Sequence, residues 1–184
     1  RGDRLILARP AGIEGTALLA LEREAELTAA FGAEFVARAQ LLLHDPGISV
    51  VAVARTLMET GAITALHDPT EGGVAMGVRE IGAASELGAV MNRELVPLLA
   101  ETRTIADHYD IDPLGMLSSG TLLATVSPEN VDTVLRHAES AGIAVAVIGK
   151  LTTLTSGYQL IENNRSRELP SFQTDEVTRA LAAS

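Results

Sequence analysis

The sequence predicts an α/β domain of the α+β type, a mixed β-sheet covered by helices. Short apolar runs of strand length alternate with segments whose apolar residues recur at helical spacing. The spacers between them are unequal and include a helix pair, unlike the regular rhythm of a doubly wound sheet. The 184 residues, 47% of them hydrophobic, suffice for one sizeable core; with 3% aromatics and no Trp, that core must be built from Leu, Val, Ile and Ala.

Leu5 to Ala8 reads as a strand stopped by Pro10. Gly12-Ile13-Glu14-Gly15-Thr16 is a glycine-bearing turn opening a helix that carries Leu18, Leu19, Leu21 and Leu27. Gly15 and Thr16 place free backbone amides and a hydroxyl at that helix start, as a cap or as an anion site. Glu34 to Leu43 is a further helix, closed by Asp45-Pro46-Gly47. Ser49 stands as N-cap of the next, in which Val50, Val53, Ala54, Leu57 and Met58 form one apolar face ending at Gly61. Ile63 to Leu66 reads as a buried strand, and from Gly73 a helical pattern runs through Val74, Val78, Ile81 and Leu87.

Gly88 to Met91 suggests a short strand, and Pro97 within Leu95 to Leu98 marks an edge or a loop. Glu101 to Tyr109 is a helix with His108 near its C-terminal end. The segment Asp110 to Gly120 is too apolar for a linker and leads into the strand Thr121 to Val126. A buried loop must satisfy its own amides, so Ser118, Ser119 and Gly120 imply either an internally bonded turn or a ligand surface. Ser127-Pro128 starts a helix with the stripe Val131, Val134, Leu135 and Ala138, closed by Gly142, with His137 solvated beside it. Ile143 to Ile148 is an apolar strand broken by Gly149. Gly157 to Ile161 is read as the last strand, ahead of a polar tail from Asn163 and a short or fraying helix over Asp175 to Ala183.

Chemistry concentrates where the Ile63 strand runs into His67-Asp68-Pro69-Thr70-Glu71-Gly72-Gly73. A helix N-terminus carries unsatisfied N–H groups, and glycines let an anion approach the backbone, so phosphate is the natural candidate. His67, Asp68 and Thr70 add an imidazole, a carboxylate and a hydroxyl to the same loop. The alternative is that Asp68 or Thr70 caps the helix and Gly72-Gly73 makes a tight turn.

Composition narrows the classes. A net charge of −10 argues against a nucleic-acid surface, which rests on neutralising phosphates. With no cysteine there are no disulfides, thiolate metal sites or Cys nucleophiles, and no second histidine stands at ligand spacing from His44 or His67, so no metal site is expected. The absence of a long apolar run or leader leads to the expectation of a cytoplasmic chain without a membrane partner. Arg1 stands almost directly before a strand, which reads as a piece of a longer protein.

Leu66 to Ala75, together with Asp112-Pro113-Leu114 and Ser119-Gly120, resembles the C-terminal domain of the aminoimidazole ribonucleotide (AIR) synthase superfamily. Gly2-Asp3-Arg4-Leu5 and Gly12 to Thr16 resemble the start of that domain in AIR synthase-related proteins near the HypE branch. The resemblance spans nearly the whole of 1–184 and implies a PurM C-terminal-domain-like fold. It also implies an N-terminal ATP-binding domain in the same polypeptide, which holds ATP and Mg2+, and dimerisation when full length. Members phosphorylate an amide-like oxygen or another small-molecule acceptor. On this resemblance His67 and Asp68 are the catalytic candidates, and Thr70, Gly72, Gly73, Gly15, Thr16, Ser118, Ser119 and Gly120 the phosphate- or substrate-binding ones. The isolated domain is expected to be inactive. The HypE branch ends in a cysteine bearing the group to be dehydrated, which this chain lacks, so the acceptor stays open. A non-catalytic anion-binding or dimerisation module is the other reading.

Overall fold

The computed structural model describes residues 1–182. In chain order the elements are β1 (Arg4–Ala8), α1 (Ile13–Glu22), α2 (Glu24–Phe31), α3 (Ala33–Leu41), α4 (Val51–Met58), β2 (Ile63–His67), α5 (Gly73–Ala84) and β3 (Leu87–Asn92). Then follow α6 (Ala100–His108), β4 (Leu122–Val126), α7 (Val131–Ser140), β5 (Val145–Thr153), β6 (Tyr158–Glu162), β7 (Arg165–Glu168) and α8 (Glu176–Ala182). Ala183, the expected end of the last helix, lies outside the described residues.

The strands form one mixed sheet in the order β2-β4-β1-β5-β3-β6-β7. The β3–β6 pair is parallel and every other neighbouring pair antiparallel. The α/β class read from the sequence is therefore the observed one. β1 lies inside the sheet and its alternate side chains feed two cores. Leu5 and Leu7 share one with Val74, Val78 and Ile81 of α5, while Ile6 and Ala8 share the other with Val53 and Leu57 of α4 and Val134 of α7. All four β1 residues are fully buried, and burying a leucine in this way contributes on the order of 2 kcal/mol. A third core is mainly helical, joining Leu19, Leu27, Val36, Ile105 and Val177 from α1, α2, α3, α6 and α8, with Ile111 and Met116 of the loop that follows α6.

Four expectations are corrected. Ile63 to Leu66 is not a buried strand: β2 is paired only to β4 and its residues alternate between half-buried and exposed, with Leu66 at 37%. The first helix is split at Arg23, whose backbone leaves the helical region (φ −117°, ψ 30°) and whose guanidinium reaches Leu181 O at 2.7 Å. Gly149 does not break its strand. β5 runs through it, because a Cβ there would lie 2.1 Å from Val90 O, and the β1–β5 register shifts at this point. Finally, the polar tail contains β7, folded back on β6 through Asn163-Asn164, both at positive φ (51° and 59°).

Candidate functional site

β1 and β2 end beside the start of β4, since Ala8 pairs with Leu122 and His67 with Leu123. Three loops therefore meet at one end of the sheet: 9–16, 67–73 and 110–121. Hydrogen bonds join them. Gly15 N donates to Leu117 O at 2.9 Å, Gly12 N to Ser118 Oγ at 3.0 Å, Ser118 N to Thr70 O at 3.3 Å and Thr121 Oγ1 to Pro10 O at 2.6 Å. At Gly73, with φ +64°, a Cβ would lie 2.5 Å from Leu114 O and 2.6 Å from Met116 O. The glycine thus allows the start of α5 to press against the 112–118 backbone.

The ten candidate residues divide. Gly15, Thr16, Gly72, Gly73, Ser118 and Gly120 are buried. Thr16 Oγ1 donates to Gly12 O at 2.7 Å and stands 2.8 Å from the Thr102 hydroxyl, and Ser118 Oγ donates to Met116 O at 2.7 Å. Gly120 O accepts from Arg9 Nη1, which also bonds Gly47 O and Ser49 O. These groups hold the cluster together from inside. Asp68, Thr70 and Glu71 are exposed and Ser119 is half-buried, so they form its outer rim.

His67 and Asp68, although adjacent in sequence, do not form a hydrogen-bonded pair. The His67 imidazole lies against α5, with Nε2 2.7 Å from Glu80 Oε2, and its Nδ1 is buried without a hydrogen-bond partner. Gly77 of α5 leaves room for Pro69 of the same loop, since a Cβ there would lie 2.9 Å from Pro69 Cβ. The Asp68 carboxyl is pushed above its ordinary value of 3.8, mainly by burial; nearby His67 opposes the shift and Glu14 reinforces it. Water still reaches this residue, so the push acts on a group that can exchange its proton with solvent.

Two contributors carried no local signal. Glu14 was read only as part of a turn, yet its charge is felt at Asp68. Asp175 was read as a helix start. Its Oδ2 accepts the amide of Gly72 at 2.8 Å, so the N–H expected to await a phosphate is engaged by the chain's own carboxylate.

Residues 1–158 match the family described as AIR synthase related protein, C-terminal domain. The chain belongs to this family. The AIR synthase-related domain is 31% identical over 151 residues to carbamoyl dehydratase HypE of Rhizobium leguminosarum bv. viciae, covering 80% of this chain and 40% of that protein. Its fold is similar to that of Escherichia coli HypE, a hydrogenase maturation protein, with TM-score 0.73 and 22% identity over 97% of this chain and 52% of the other. It is similar, too, to hydrogenase maturation protein HypE in complex with ATP, with TM-score 0.68 and 21% identity over 96% of this chain and 52% of the other. The AIR synthase-related domain thus spans about half the length of these HypE proteins. Among its described residues no single helix is long and apolar enough to cross a membrane.

Proposed function

We propose that this domain is the acceptor- and phosphate-facing half of an ATP-dependent enzyme, completed by an N-terminal ATP-binding domain of the same polypeptide. The observation that carries the proposal is the convergence of three separately recognised loops into one hydrogen-bonded cluster with a polar rim. The membership of the family and the ATP complex of a HypE structure support it.

The parts fit a division of labour. Among the described residues no group of three or more His, Asp or Glu side chains could hold a metal ion, so in this reading Mg2+ is held from the other half. ATP supplies the phosphoryl group that turns a poor leaving oxygen into a good one. The Thr70 and Ser119 hydroxyls, which make no hydrogen bond among the described residues, are placed to orient phosphate or acceptor. Arg9, beside Gly120 and without a carboxylate partner among the described residues, adds positive potential. Asp68 is the proton-handling group: a carboxyl whose pKa is raised takes and returns a proton nearer neutrality than an ordinary one. His67, gripped by Glu80, offsets the negative charge beside it.

The test is ATP consumption by a protein of the relatives' length carrying this domain, assayed with small acceptors bearing an amide or carbamoyl group. Asp68→Asn should lower turnover about a hundredfold, the usual scale for a general acid or base, without a matching loss of thermal stability. Unchanged turnover would remove Asp68 from the chemistry. The module reading draws on one observation, the exposed β2 edge with Leu66 at its surface. A dimer of the 184-residue chain broken by Leu66→Lys, with no ATP-dependent activity in the longer protein, would favour it.

A further inference from the structure

The start of α8 lies beyond the 1–158 span that matches the family, yet its carboxylates reach into both of the loops that close the cluster. Asp175 Oδ2 accepts Gly72 N at 2.8 Å, and Oδ1 accepts Val177 N at 2.8 Å and Leu117 N at 3.2 Å. Glu176 Oε2 accepts Asp112 N at 2.8 Å; the residue is 7% exposed, and Arg179 Nε fixes its other oxygen at 3.0 Å. An ordinary N-cap needs only the bond to Val177. The two additional Asp175 bonds reach residues 103 and 58 positions away.

Packing follows the same path. Phe172 occupies the space beside Gly115, where a Cβ would lie 2.5 Å from the ring, and Val177 Cγ2 stands 2.8 Å from where a Cβ on Gly15 would be. The 172–177 segment thus touches all three loops, at positions where glycine leaves room for it. Between the 67–73 and 110–121 loops the direct backbone bond is Ser118 N to Thr70 O, long at 3.3 Å. A carboxylate held by an amide from each loop is a stiffer tie, because bonds to a charged acceptor are shorter and stronger than neutral ones.

We propose that Asp175 and Glu176 are positioning residues, a clasp that sets the spacing between the Thr70–Gly73 loop and the Asp112–Ser118 loop. The clasp touches neither phosphate nor acceptor. It acts through the loops that present Asp68, Thr70 and Ser119, and its bearing on turnover rests on the proposed function.

Amide exchange on this chain tests the clasp without any assay of activity. In Asp175→Asn, exchange at Gly72 and Leu117 should rise about tenfold or more, the scale of a lost bond to a charged group, while amides of Leu5 to Leu7 stay within about twofold. Glu176→Gln should do the same at Asp112. In the longer protein, Asp175→Asn should lower kcat about tenfold while the KM for ATP stays within about threefold, the signature of a group that serves the transition state rather than nucleotide binding. Unchanged exchange at Gly72 and Leu117, or an equal rise at Leu5 to Leu7, would overturn the clasp. If Asp175→Asn does not fold, Glu176→Gln read at Asp112 decides in the same terms. The expected exchange pattern in a protein without ATP-dependent turnover would keep the clasp and discard the proposed function.

Discussion

Asp68 gives the rim of the cluster a pH signature. Its folded pKa stands above the ordinary 3.8 because burial disfavours the carboxylate, with Glu14 adding repulsion and His67 partly compensating. Between the unfolded and folded values the folded chain holds more protons than the unfolded one. Stability therefore falls as pH rises through that window and stays at the lower level above it. Thermal midpoints of wild type and Asp68→Asn, followed from about pH 3 to 7, should run together at the acid end. They should separate as pH rises, the variant becoming relatively more stable; curves that stay parallel would show that burial of Asp68 costs nothing. At this scale the sequence identified which residues carry polar chemistry but not which way they point. His67 and Asp68 are adjacent, yet the carboxylate that meets the imidazole is Glu80, on a helix that packs back against the strand. Thr16 and Ser118 read as ligand groups because hydroxyls beside glycines look alike, whether they face a ligand or close an internal turn. Only tertiary burial separates the two.

Elements were legible wherever periodicity reflected burial. β1, α4, α5 and α7 carry spacing imposed by the core they face, and they form close to where that spacing placed them. Errors arose where tertiary contacts or backbone geometry decided the matter. The α1–α2 break has no glycine or proline to announce it, and Arg23 leaves helical geometry while bonding Leu181 O, 158 residues away. β7 was hidden because each residue of Arg165-Ser166-Arg167-Glu168 is exposed, so no apolar alternation could mark it. Its hairpin depends on Asn163 and Asn164 at φ 51° and 59°, a conformation that suits Asn or Gly and penalises β-branched residues. Asn164→Val should cost about 1–2 kcal/mol while Asn164→Gly stays within about 0.5 kcal/mol, read from urea midpoints. Equal effects of the two would show that the turn does not need its left-handed backbone.

For the whole molecule, alternation of strand-like and helix-like segments was enough to predict a mixed sheet covered by helices. Strand order was not, since β1 pairs with β4 and β5, more than a hundred residues later in the chain, and no local pattern encodes that choice. That pairing is nevertheless what brings the 9–16, 67–73 and 110–121 loops to one end of the sheet. The cluster has hydroxyls, a guanidinium and a raised carboxyl, but among its described residues no metal-holding group. In the proposed function it is half of a site, the other half coming from an N-terminal domain. The most direct test compares ATP consumption by residues 1–184 alone with that of a protein of the relatives' length containing them, each with wild-type loops and with Asp68→Asn. Phosphate release should be absent from the chain alone, present in the longer protein with its acceptor, and lowered about a hundredfold by the substitution. Steady release by the chain alone, or turnover in the longer protein indifferent to Asp68, would contradict the assignment of this cluster as the acceptor-facing half of an ATP-dependent active site.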